Sequence, residues 1–261
     1  MSAADSVSVP ATAPLWGELR YGGELARLIA VQALRRPAPA ARHVERQPVL
    51  LIPGFMAGDG SLAVLRGWLA RRGHPVAMSG IRWNVGCAER IVSRLQVEVG
   101  ALASEHGGPI AVIGQSRGGA LARALAVREG EHVSRLVMLG SPVCDSLAVA
   151  PRVLRTVRWM ARLGDLGIPG LFSSSCADGE CCAGFWEDMQ APLDPRTESV
   201  AVYSKSDAIV DWSACIDPHS RAVEVRSSHC GMSVHPAVYR ELELLLDGDG
   251  DGEREGDEWN G

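Results

Sequence analysis

The chain has 261 residues, 46% of them apolar, and carries 31 acidic against 26 basic side chains for a net charge of -5. Residues 247–261 alone hold seven acids and one Arg, a charge of -6, so the rest of the chain is close to +1. That balance excludes the basic face of a nucleic-acid binder, and no run reaches the roughly 18 apolar residues of a membrane span.

Met1 to Pro14 lacks the basic start and continuous apolar stretch of an export signal, so a soluble, cytoplasmic protein is expected. Leu15 to Arg36 has apolar positions at helical spacing, and Pro37 to Arg42 reads as a linker. Residues 1–46 are therefore taken as an N-terminal extension, and 47–246 as one domain.

From Gln47 onward the pattern alternates. A strand at Val49 to Ile52 precedes a helix at Ser61 to Arg72, and a strand near Pro75 to Met78 precedes a helix at Cys87 to Glu105. Strand Pro109 to Ile113, helix Gly118 to Arg128 and strand Leu136 to Leu139 follow, and strands Val200 to Tyr203 and Ala222 to Val225 come later. Strands alternating with helices predict an α/β fold: a parallel sheet covered on both faces.

The alternation stops between Ser141 and Pro195, which marks a small cap insertion at about 143–197. Its one predicted helix, Ala150 to Leu163, carries Arg152, Arg155, Arg158 and Arg162 along one side. Such a stripe reads first as a solvated face, and second as an attraction for anionic acyl carriers or a lipid surface.

The chemistry is concentrated in Gly114-Gln115-Ser116-Arg117-Gly118-Gly119, which joins the strand ending at Ile113 to the following helix. Strand, tight turn and helix in that order predict a nucleophile elbow, with Ser116 strained at its apex and glycines where strand and helix pass closely. A serine hydroxyl is a weak nucleophile at neutral pH, so a base and an orienting acid must lie further along.

Asp207 follows the strand ending at Tyr203, and His229 follows the strand ending at Val225. Serine, acid and histidine, each beyond a strand end, complete a candidate triad. The alternative reading of Asp207 is the cap of a helix at Ala208 to Trp212, Asp211 is a rival acid, and His235 is the competing base. Backbone N–H groups of Phe55, in the loop Pro53 to Gly60, and of Arg117 are the expected oxyanion donors, and the Arg117 guanidinium is a candidate contact for a polar substrate.

These four ordered motifs, Leu51 to Phe55, Gly114 to Gly119, Ser206 to Val210 and Ser228 to Met232, resemble the α/β-hydrolase superfamily, and more narrowly its small bacterial lipases and esterases. The resemblance covers Pro48 to Leu246 and implies a mostly parallel sheet of about six strands with helices on both faces, and cleavage of a small-molecule or lipid acyl ester through an acyl-enzyme, without cofactor or metal. Relatives often have His where this chain has Pro53, and His-Ser-Met where it has Gln115, Ser116 and Arg117. The superfamily also holds thioesterases, acyltransferases and members that act as non-catalytic receptors.

Seven cysteines do not form a small disulfide framework. Cys176, Cys181 and Cys182 lie close together in the cap, but no second close pair with ligand spacing accompanies them, so reduced packing thiols are expected in preference to zinc or a disulfide. Cys230 is a rival nucleophile without an elbow. The run Asp247 to Glu258 matches a calcium-loop spacing, yet Arg254 replaces the usual apolar position and only Trp259, Asn260 and Gly261 remain to form an exit helix. An acidic, disordered tail over 247–261 is the expectation.

Overall fold

A computed structural model describes residues 20–34, 46–178 and 181–247. In chain order the elements are α1 (Tyr21–Leu34), β1 (Val49–Ile52), α2 (Ala63–Arg71), β2 (Val76–Met78), α3 (Ala88–His106), β3 (Ile110–Gln115), α4 (Arg117–Arg128), β4 (Val133–Leu139), α5 (Pro151–Asp165), α6 (Ser174–Asp178), α7 (Ala183–Asp188), β5 (Glu198–Tyr203), β6 (Arg221–Glu224) and α8 (Pro236–Asp247). The linker at Pro37 to Arg42, the start Met1 to Pro14 and residues 248–261 of the acidic run lie outside the described residues. Asp247, the first position of the calcium-like spacing, is the last residue of α8, and its carboxylate is engaged by Arg46 and Arg72.

The six strands form one parallel sheet in the order β2-β1-β3-β4-β5-β6. Alternation along the strands explains why both faces are apolar. Leu50, Ile52, Val112, Leu136 and Met138 pack with Val92, Leu95 and Val99 of α3 and Leu121 and Leu125 of α4. Val49, Leu51, Ile113, Val137 and Val202 face the other way, onto Leu28 of α1, Leu65 and Leu69 of α2, and Val238 and Leu242 of α8. The N-terminal helix is thus docked on the core, with Leu28 only 2% exposed.

Because β2 and β3 flank β1, the chain leaves β1 in one direction and returns on the other side. A crevice opens beyond the carboxyl ends of adjacent strands at such a switch point. The loops placed there follow β1 and β3, and these are the Phe55 loop and the Ser116 turn.

The 140–197 segment contains α6 and α7 besides the predicted helix. Short helices of this kind lack the periodic run that would reveal them in sequence. The segment contributes Met160, Ala161, Phe172 and Phe185 to the α3–α4 side of the core. The Arg stripe of α5 is exposed, as its first reading requires, and Trp159 beside it is 59% exposed.

Arg123 of α4 is 1% exposed and donates through Nε to Asp217 at 2.6 Å, while its other nitrogens bond to the carbonyls of Asp188 and Ala191. One cation therefore ties α4 to the end of α7 and to the loop before β6. Truncating one partner of a buried pair leaves the other charge desolvated and unpaired. Asp217→Ala is expected to cost about 3–5 kcal/mol in urea unfolding, whereas the joint replacement of Arg123 by Met and Asp217 by Leu should recover much of that loss.

Candidate active site

Ser116 has φ 53 and ψ -126, a conformation that L-residues avoid and that costs about 1–3 kcal/mol. The surrounding glycines enforce it. A Cβ on Gly114 would lie 2.2 Å from the Gly118 carbonyl oxygen, and one on Gly118 would lie 2.3 Å from that of Ile52. Ser116 N–H donates to the Leu139 carbonyl at 2.8 Å, which pins the turn to the end of β4. The hydroxyl thus stands at the N-cap of the 12-residue helix α4, whose positive end favours negative charge.

The loop after β1 approaches the serine from the neighbouring strand. A Cβ at Gly54 would come within 3.2 Å of the Ser116 Cβ, so any side chain there would crowd that serine. Met56 takes a left-handed φ of 57, and its N–H donates to the Asn84 carbonyl at 3.2 Å, while Ala57 N–H donates to Gly54 at 3.1 Å. Among the described residues nothing accepts a hydrogen bond from Phe55 N–H, the expected donor between these two bonded regions. Arg117 N–H belongs to the first turn of α4, where amides have no intrahelical acceptor.

Asn84 is fully buried and was not distinguished in the sequence, since it lies in an irregular loop with no motif around it. Its amide donates to the Pro53 carbonyl at 2.7 Å and its side-chain oxygen accepts from Arg117. The Arg117 guanidinium also donates to the Asn84 and Gly86 carbonyls at 3.2 and 2.6 Å and lies over the Phe172 ring. The expectation of a substrate contact gives way here to a strut between the elbow and the loop before α3. Burial pulls this guanidinium down to about 10, still a cation at neutral pH.

Asp207 and His229 meet as the chain order predicts, with Asp207 Oδ2 2.6 Å from His229 Nδ1. They are 3% and 5% exposed, so the contact is shielded from water. The other oxygen of Asp207 accepts from the N–H groups of Ile209 and Val210 at 2.7 and 2.9 Å. Capping and pairing with histidine, which compete as readings of the sequence, are done by different oxygens of one carboxylate. A carboxylate on Nδ1 selects the tautomer in which Nε2 is the basic nitrogen.

The rivals are otherwise occupied. Asp211 accepts from the N–H and hydroxyl of Ser213 at the start of the short 3-10 turn Trp212–Cys215. His235 Nδ1 accepts from Ala237 N–H at the start of α8, and burial lowers its pKa.

Several contacts set the positions of the acid and base loops. Ser204 Oγ donates to Ser227 O at 2.8 Å, joining the ends of β5 and β6, and the antiparallel bridge Val149–Val210 holds the acid loop from the start of the insertion. Gln115, adjacent to Ser116, donates to the His229 and Cys230 carbonyls at 3.3 and 3.4 Å. This side chain therefore links the serine turn to the histidine loop. From α1, the buried Glu24 accepts from Ser228 N–H and Oγ at 2.8 and 2.6 Å. Neither contact has a local signature: Glu24 and Ser228 are 204 residues apart in the chain.

No family model and no curated protein matches the sequence. Solved structures do match in shape. The mature Bacillus licheniformis lipase BlEst2 aligns with a TM-score of 0.58 at 13% identity, covering 81% of this chain and 94% of that one. A thioesterase domain from the curacin biosynthetic pathway gives 0.51 at 14% identity, covering 78% and 92%. MGS-MChE2, an α/β hydrolase enzyme from the metagenome of sediments from the Mar Chica lagoon in Morocco, gives 0.50 at 17%, covering 76% and 89%. Sheet order, elbow and these likenesses together define the fold class: the chain has the α/β-hydrolase fold. No helix among the described residues is long and apolar enough to cross a membrane.

Proposed function

We propose that this protein is a serine hydrolase that cleaves carboxylic esters through an acyl-enzyme. The observation that carries the reading is the buried 2.6 Å contact of Asp207 with His229, on a loop whose His229 carbonyl accepts a hydrogen bond from Gln115, the residue preceding the strained Ser116.

In this reaction the Ser116 oxygen attacks the ester carbonyl carbon as His229 Nε2 takes its proton. The carbonyl oxygen becomes an oxyanion held by the N–H groups of Phe55 and Arg117. Collapse breaks the bond to the alcohol, which leaves with the proton from His229. Water then repeats the sequence on the acyl-serine, giving the acid and restoring the hydroxyl. Asp207 stabilises the imidazolium formed in each half.

Labelling with a fluorophosphonate, followed by peptide mapping, tests this reading. The expected adduct is on Ser116 alone, at a rate that falls on His229→Ala. An unlabelled chain, or a label on Cys230, would refute it.

A further inference from the structure

The sequence offers three neighbouring thiols in the insertion and no fourth nearby. Folding supplies the fourth. Cys87, which precedes α3, stands with its Sγ 3.6 Å from that of Cys182, 95 positions later in the chain. Cys181 Sγ lies 3.0 Å from Cys176 Sγ and 3.7 Å from Cys182 Sγ, and all four sulfurs are within 4.8 Å of one another.

Those spacings have a chemical meaning. With Zn–S bonds of about 2.3 Å, the sulfurs of a tetrahedral tetrathiolate are about 3.8 Å apart along every edge. Two independent disulfides would need only two close pairs, each drawn to about 2.05 Å, and would give no reason for a mutual cluster of four. Plain packing of thiols also explains it poorly, since Cys181 is exposed yet turned toward three buried partners.

We propose that Cys87, Cys176, Cys181 and Cys182 bind one zinc ion in a closed structural site that fastens the α6–α7 segment to the loop before α3. Soft thiolates in a tetrahedral set select zinc, which imposes no geometry of its own. Binding converts four thiols to thiolates and releases their protons to solvent. The resulting net charge of about -2 on the Zn(Cys)₄ group is opposed from two directions. Cys87 occupies the N-cap of the 19-residue helix α3, where the dipole favours an anion. The Arg117 cation, which donates to the Gly86 carbonyl next to Cys87, is electrostatically coupled to Cys182, Cys176 and Cys87.

Four protein ligands leave no open coordination position, so the ion has no direct part in ester cleavage. Its influence is mechanical. It holds the 81–87 loop, whose Asn84 supports the Phe55 loop and whose Gly86 anchors Arg117.

The test uses the full chain purified with a thiol reductant and no chelator. Elemental analysis should find one zinc per chain, released when a mercurial blocks the thiols. Cobalt added to the stripped chain should give the sulfur-to-metal charge-transfer absorption of a tetrathiolate and the visible bands of a tetrahedral ion. Cys87→Ser and Cys181→Ser should each lower the zinc content severalfold, whereas Cys144→Ser, Cys215→Ser and Cys230→Ser should leave it at one. The cobalt spectrum is read on the unmutated chain, so it decides the matter even where a variant does not fold. A metal-free chain with no cobalt absorption overturns the proposal, as does mass-spectrometric detection of disulfides among these four cysteines in the native chain. Stoichiometric iron in place of zinc overturns the choice of metal.

Discussion

Replacing Ser116 by Ala is expected to reduce kcat on an aryl ester of a short acid by at least about 10⁴-fold while leaving the protein folded. The oxygen that forms the acyl bond is gone, and the remaining loops can only bind and polarise the ester, which sustains a small residual rate. The backbone at this position makes the experiment self-checking. Alanine retains a Cβ at φ 53 and so inherits the strain, whereas glycine relieves it. Ser116→Gly should therefore be as inactive as Ser116→Ala but more stable than it by about 1 kcal/mol, read from paired urea titrations. Turnover by Ser116→Ala comparable to that of the unaltered chain would remove the assigned nucleophile and, with it, ester cleavage by this route.

The sequence makes legible what depends on local pattern. Val49 to Ile52 is found as predicted, and β3 and α4 extend the predicted segments inward until they meet at Ser116, because the elbow leaves no spare residue between them. The predicted Leu136 to Leu139 strand begins instead at Val133. Ser134 and Arg135 interrupt its apolar run, yet both pair within the sheet margin, through Gln47. The alternative reading of Asp207, as the cap of a helix at Ala208 to Trp212, gives way to an Asp207-capped turn and a 3-10 turn at Trp212–Cys215. Two successive Asx-type caps, Asp207 on Val210 and Asp211 on Ser213, compete with helix propagation there.

What could not be read from sequence is the set of side chains that bridge distant segments. Asn84 under the Phe55 loop, Gln115 on the histidine loop, Glu24 on Ser228 and Arg123 on Asp217 each satisfy a buried polar group of another segment. Periodicity carries information about faces, and motifs about turns, but neither encodes which two surfaces will meet. Cys87 shows the same limit. It is an isolated cysteine along the chain, and only the packing of α7 beside α3 and α4 brings it to three others.

Asp207→Asn separates orientation of the base from support of the loop, and a loss of about 10⁴-fold in kcat is expected. The amide retains an oxygen that can accept from Ile209 and Val210 N–H, so the turn after β5 should persist. Its NH₂ then faces His229 Nδ1, where the carboxylate had accepted a hydrogen bond. An imidazole that must accept at Nδ1 carries its own proton on Nε2 and cannot take one from the serine. Asp207→Ala should lose the cap as well, adding a stability cost of about 1 kcal/mol to the catalytic one. The corresponding change Asp211→Asn alters a turn without touching the imidazole and should leave kcat within about twofold of the unaltered chain. If the Asp211 change instead produced the large loss, the acid would have to be reassigned, and the 2.6 Å contact at Asp207 would become a structural cap on the histidine loop.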